Sequence, residues 1–169
     1  MNARPSTPRV WLAAIRPATL WAGAVPVLVG TGLAIANDVL RVGPALAALA
    51  GALLIQIGTN LVNDLADFKR GADGPDRLGP ARATAKGWLT QRQVFAGAAL
   101  SLAAAAGVGA WLVVVGGWPI LALGIASLIC AVGYTAGPMP LGYVGLGDLF
   151  VLLFFGFAAV AGTYYVQAG

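Results

Sequence analysis

Asn60, Asn63, Asp64 and Asp67 recur at i, i+3, i+4 and i+7. In a helix this spacing gathers two carboxamides and two carboxylates within an arc of about 100°. The acids continue as Asp73 and Asp76, interleaved with Lys69, Arg70, Arg77 and Arg82. Short, rigid carboxylates beside amide oxygens suit Mg²⁺, a hard ion that takes a few carboxylates and completes its octahedron with water and phosphate. Asp64, Asp67, Asp73 and Asp76 are therefore the candidate metal ligands. Lys69, Arg70, Arg77 and Arg82, with Asn60 beside them, are the candidate binders of phosphate oxygens, arginine through planar paired donors. Acids for a metal next to bases for phosphate describe a diphosphate site. The chain has no histidine, and its one cysteine, Cys130, lies in an apolar run. That excludes an internal disulfide framework and a cysteine metal cluster. With no Ser–His pair or reactive thiol, the chemistry points to departure of diphosphate from carbon rather than to a covalent enzyme intermediate.

The surroundings are those of a membrane. Of 169 residues, 59% are hydrophobic and 9% charged, with mean hydropathy +0.84, whereas a soluble domain carries roughly 25% charged residues. The 24 glycines follow no three-residue period, which excludes collagen. Apolar runs of crossing length are predicted at Ala18 to Ala36, Ala45 to Asn63, Val94 to Val115, Pro119 to Ala136 and Asp148 to Ala168. The expected fold is all-α, a polytopic transmembrane helix bundle of about five spans embedded in the lipid bilayer. Gly116 to Pro119 should join the third and fourth spans as a tight helical hairpin. Small residues from Gly23 to Gly32 and Ala103 to Gly109 should let helices approach closely, and Trp21, Trp118, Tyr134, Tyr164 and Tyr165 should anchor span ends at the interface.

Six of the ten bases and four of the six acids, all of which are aspartates, fall between positions 64 and 92. Arg4, Arg9 and Arg16 precede the first span, and Arg41 alone follows it. By the excess of bases, residues 1–17 form a cytoplasmic amino-terminal segment and the loop 64–92 is also cytoplasmic, within a transmembrane domain over 18–169 of a cell membrane protein. The net charge of +4 belongs to loops beside a membrane, and no nucleic acid partner is expected. Ala34-Ile35-Ala36 has the form of a signal cleavage site, yet the apolar run before it exceeds the usual 7–15 residues, so the first span should be retained. An aspartate deep in a bilayer costs roughly 2.5–3.5 kcal/mol even on the lenient insertion scale, so such residues usually face an internal cavity. That places the polar face at the cytoplasmic mouth of a cavity between helices, suited to a lipid diphosphate.

The run Asn60-Leu61-Val62-Asn63-Asp64-Leu65-Ala66-Asp67-Phe68-Lys69-Arg70-Gly71-Ala72-Asp73 resembles the first aspartate-rich motif of the UbiA superfamily of intramembrane prenyltransferases. Asp76-Arg77-Leu78-Gly79-Pro80-Ala81-Arg82 and the later Tyr134-Thr135-Ala136-Gly137-Pro138, continuing to Asp148, are similar to the branch that prenylates 1,4-dihydroxy-2-naphthoate in menaquinone synthesis. The resemblance implies a helical bundle with a central cavity and Mg²⁺ bridging aspartates to an all-trans polyprenyl diphosphate. It also implies attack of an aromatic ring carbon on the allylic cation. In this branch the acceptor loses its carboxylate and gives demethylmenaquinone. Asn63 and Asp67 match the Asn-x-x-x-Asp pair and are the implied catalytic residues. Where the superfamily places a third acid this chain has Gly71, and the naphthoate branch has it at the position of Asp73. Arg77 and Arg82 would contact diphosphate or brace the loop, and Tyr134 would line the cavity.

Members of the family have about nine spans and a second aspartate-rich motif, whereas Asp148 is the only acid beyond Asp76 here. The chain is thus expected to be an amino-terminal fragment, one half of a split enzyme, or a decayed gene product, with little turnover alone. Three other readings compete. One is a prenyltransferase acting on another aromatic acceptor, and another is a non-enzymatic membrane transporter or structural module, since intramembrane charges also mark ion pathways. The third, a CDP-alcohol phosphotransferase, needs Asp-Gly-x-x-Ala-Arg, which Asp73-Gly74-Pro75-Asp76-Arg77-Leu78 breaks.

Overall fold

The computed structural model describes residues 6–71, 82–134, 136, 145 and 147–169. Among these residues every regular element is helical: α1 (Thr7–Ile15), α2 (Pro17–Ala36), α3 (Val42–Arg70), α4 (Gln91–Gly116), α5 (Trp118–Gly133) and α6 (Gly147–Ala168). Helices α2, α3, α4 and α6 are long and apolar enough to cross a membrane, and α5 is a shorter apolar helix. The polytopic bundle expected from the hydropathy pattern is therefore present. The fourth expected span differs in length, because the helix ends at Gly133; at 1.5 Å per residue it reaches only about 24 Å. Large apolar side chains point outward along the bundle, Val114 at 84% and Trp118 at 77% exposed. Lipid, which is as apolar as they are, removes the penalty that water would impose on such a surface.

Helix α3 is the longest element. Its 29 residues extend about 43 Å against a hydrocarbon core of about 30 Å. The last turns, which carry the acids, must therefore project from the apolar layer. The loop expected over 64–92 begins correspondingly later, since α3 runs through Arg70 and stops where Gly71 takes φ 67°. That left-handed conformation is cheap for glycine, and the amide of Gly71 donates to the carbonyls of Asp67 and Phe68. Lys69 and Arg70 occupy the final turn, where positive charge complements the helix dipole.

The amino-terminal segment contains α1, a helix that the span analysis did not anticipate. It buries Val10 and Ala14 against Leu61 of α3, Val94 and Ala98 of α4, and Ala83 and Leu89 of the segment between them. Arg16 breaks the chain between α1 and α2 with φ 53°, and Pro17 begins the next helix. Thr90 caps α4 through a reciprocal pair with Gln93: the Gln93 amide donates to Thr90 Oγ1 at 3.3 Å, and the Thr90 amide donates to Gln93 Oε1 at 2.9 Å. Gly117, φ 71°, is the whole link between α4 and α5, the tight hairpin read from the sequence.

The expected close approaches of small residues divide. A Cβ on Gly30 of α2 would lie 2.6 Å from the Val160 carbonyl oxygen and 2.8 Å from Thr163 Cβ on α6, so glycine is required there. Gly107 and Gly109 of α4 face open space. Within α6, Leu152–Ala158 is π-helical, a widening of the turn that often accompanies functional sites.

Candidate active site

The structure distributes the four residues of the polar face among different partners. Asn60, buried, faces the joint between α1 and α2. Its Nδ2 donates to the Ile15 carbonyl and to Thr19 Oγ1, each at 2.8 Å, while Thr19 Oγ1 donates to the Arg16 carbonyl at 2.9 Å. The carboxamide thus satisfies backbone left open where Arg16 interrupts the helix.

Asn63 is half-buried and lines a cavity of about 860 Å³ bounded by α2, α3, α5 and α6. Tyr134 lines the same cavity. Apart from Asn63, the wall is largely apolar: Trp21 and Pro26 from α2, Leu123 and Ala131 from α5, and Phe150, Phe154, Phe155 and Gly156 from α6. Phe150 and Phe154 stack with centroids 6.1 Å apart. The π-helical stretch supplies most of the α6 contribution, from Leu152 through Gly156. Among the described lining residues none is charged. The cavity is therefore suited to a hydrocarbon chain with a polar group at the Asn63 end.

One turn beyond Asn63, Asp67 is 7% exposed and forms an ion pair with Arg82, itself buried. Asp64, 1% exposed, accepts from the Ala83 amide at 3.0 Å and from the Thr84 amide at 3.3 Å. The chain after Arg82 turns at once: the Lys86 amide donates to the Arg82 carbonyl and the Trp88 amide to that of Ala83. The acidic end of α3 is thereby covered by residues 82–84, which bring one guanidinium and two amides to two carboxylates. Lys69 and Arg70 are exposed on the last turn of α3. Asp73, Asp76 and Arg77 lie outside the described residues. Among the described residues no three acids, histidines or cysteines come together to hold a metal.

The donor set that is described accords with Mg²⁺. Asp67 and Asn63 offer hard oxygens at i and i−4, and this ion is commonly held through one or two carboxylates plus phosphate and water. Thr84 Oγ1 is buried with no hydrogen-bond partner among the described residues.

Sequence reasoning passed over Thr19, Gln56, Thr59 and Ser127, the other polar side chains on the cavity wall. Gln56, Thr59 and Asn63 stand at i, i+3 and i+7, so the polar stripe extends one turn deeper than the acidic motif. Periodicity carried that signal. Nothing local marked Thr84, whose place follows from the return of the chain to α3.

A model of the UbiA prenyltransferase family matches residues 23–169. The 1,4-dihydroxy-2-naphthoate octaprenyltransferase of Escherichia coli (strain K12) is 40% identical over 169 residues, covering 96% of this chain and 55% of the relative. The protein of the same description from Mycobacterium tuberculosis is 40% identical over 158 residues, 94% of this chain and 54% of its own length. The 2-carboxy-1,4-naphthoquinone phytyltransferase of Synechocystis is 30% identical, covering 99% of this chain and 54% of the relative. The chain spans about half the length of the curated relatives it matches.

Proposed function

Because the chain belongs to the UbiA prenyltransferase family, we propose that it carries the donor-binding part of a membrane prenyltransferase that moves a polyprenyl group from its diphosphate to 1,4-dihydroxy-2-naphthoate. The observation that supports this best is positional. The Asp67–Arg82 pair sits one turn of α3 beyond Asn63, and Asn63 marks the polar end of an apolar cavity. A polyprenyl tail would lie along Pro26, Leu123 and the phenylalanines of α6, leaving its diphosphate at Asn63, Asp67 and Arg82. The acceptor is that of the bacterial relatives' names.

Asp67, with Asp73 and Asp76 from the segment outside the described residues, would hold Mg²⁺, whose charge offsets that developing on the departing diphosphate. Arg82 would donate to the diphosphate oxygens, a planar fork matched to phosphate. As the allylic C–O bond breaks, its electron pair goes to the diphosphate oxygen, and the allylic carbon is left positive. Phe150, Phe154 and Tyr134 on the cavity wall would offer π electrons to the cationic charge and keep water from the carbon until the acceptor ring carbon that bears the carboxylate bonds to it, the carboxylate then leaving as CO₂ while its bonding electron pair restores the aromatic ring. Lys69 and Arg70 stand where they add positive potential at the entrance. In this reading the protein lies in the cell membrane with α1 and the Arg82 segment on the cytoplasmic side, where the excess of bases belongs.

Donor binding is the direct test, because every residue named above acts on the donor. The full chain in lipid nanodiscs should bind farnesyl diphosphate saturably when Mg²⁺ is present. Chelation by EDTA, or Asp67→Asn, should weaken binding by at least about 10-fold, the scale of losing one charge-assisted contact. Binding indifferent to both would overturn the reading.

A further inference from the structure

Asp64 is more deeply enclosed than Asp67, 1% against 7% exposed. A carboxylate at that depth needs partners for its charge, and each of its oxygens has one: Oδ2 accepts from the Ala83 amide and Oδ1 from the Thr84 amide. Ala83, fully buried, is fixed from its other side by the cluster of Val10, Leu61 and Val94. The residue immediately before these amides is Arg82, whose guanidinium meets Asp67. Two acids three positions apart on α3 thus engage three consecutive residues of the returning chain, Asp67 by a side chain and Asp64 by the backbone.

We propose that Asp64 is a positioning residue: it clamps the amides of Ala83 and Thr84 so that Arg82 is delivered to Asp67 and to the donor diphosphate, and it is not itself a metal ligand. The geometry of α3 and the returning segment supports this assignment. Mg²⁺ retains several waters and needs room for them, whereas Asp64 is 1% exposed and both its oxygens are already taken by backbone amides. Its short side chain reaches two successive N–H groups, whose fixed direction leaves Arg82 little freedom to swing away. The effect on diphosphate rests on the function proposed above. The clamp itself does not.

The test uses the full chain in nanodiscs, with Asp64→Asn, Arg82→Gln and the double variant. An asparagine can accept from one amide only and turns an NH₂ toward the other. Hydrogen exchange at Ala83 and Thr84 should quicken at least about 10-fold in Asp64→Asn, with protection along α4 unchanged. For farnesyl diphosphate with Mg²⁺, each single variant should weaken binding, and the double variant should be no weaker than Arg82→Gln within about twofold, because Asp64 acts through Arg82. Unchanged exchange at the two amides, or losses that multiply in the double variant as for an independent metal ligand, would overturn the proposal. Failure of the unaltered chain to bind farnesyl diphosphate would sink the functional reading and leave exchange to decide the clamp. Should Asp64→Asn not fold, the unaltered chain decides. Mg²⁺ with farnesyl diphosphate should leave both amides protected, whereas their release would show that the metal had captured Asp64.

Discussion

Neighbouring asparagines on one helical face meet different surroundings. Asn60 spends its amide on Ile15 and Thr19 across the α1–α2 joint, so Asn60→Ala leaves a half-buried carbonyl without its donor. The expected cost is about 1–3 kcal/mol of stability, read as a lowered midpoint of denaturant unfolding in micelles. Asn63 is half-buried on the cavity wall, and Asn63→Ala should move that midpoint little while weakening Mg²⁺-dependent farnesyl diphosphate binding. An Asn63→Ala chain that lost stability and kept full affinity would reverse the two roles. Asp64 and Asp67 divide in the same way, one toward backbone and one toward a guanidinium.

Among the helices, the contact between α2 and α6 is one where glycine meets backbone of the neighbouring helix. Gly30→Ala would put a methyl 2.6 Å from a backbone carbonyl, which cannot rotate aside, so the helices must part. A loss of about 1–3 kcal/mol is expected, typical of overpacking. Gly107→Ala, with nothing within 4 Å, should be neutral or stabilising by up to about 1 kcal/mol through helix propensity. Unfolding of the two variants side by side checks both signs. The approach matters for function because α6 presents its π-helical stretch to the cavity that α2 also lines. Separating the two would alter the wall proposed to hold the prenyl tail.

For the molecule as a whole, the proposed direction of insertion rests on charge asymmetry. The turn after α2, with Asp38, and the segment after α3, with Lys86, lie at opposite ends of α3 and should face opposite sides of the membrane. In a Cys130→Ser background, Asp38→Cys should react with a membrane-impermeant maleimide added outside spheroplasts, and Lys86→Cys should react only after lysis. The reverse pattern would put the Arg82 segment outside the cell and overturn the proposed orientation. The packed core at the loop end, from Val10 and Leu61 to Leu89 and Val94, makes α1 and the Arg82 segment one body with α3 and α4. The remaining apolar surface is left to lipid or to further helices.

By itself the sequence determined the bundle, because crossing a hydrocarbon layer demands long apolar runs and those are written locally. It also placed Asn60, Asn63, Asp64 and Asp67 on one face, since helical period follows from spacing alone. The partners of that face were decided by tertiary structure. Ile15 is 45 residues from Asn60, and Ala83 is 19 from Asp64, separations over which period carries no information. Helix α1 was hidden for the same reason: nine residues are too few to signal a helix until Leu61, Val94 and Ala98 cover one side. The π-helical turn in Leu152–Ala158 was equally illegible, because an unbroken apolar run reads alike whether its amides bond four or five residues back.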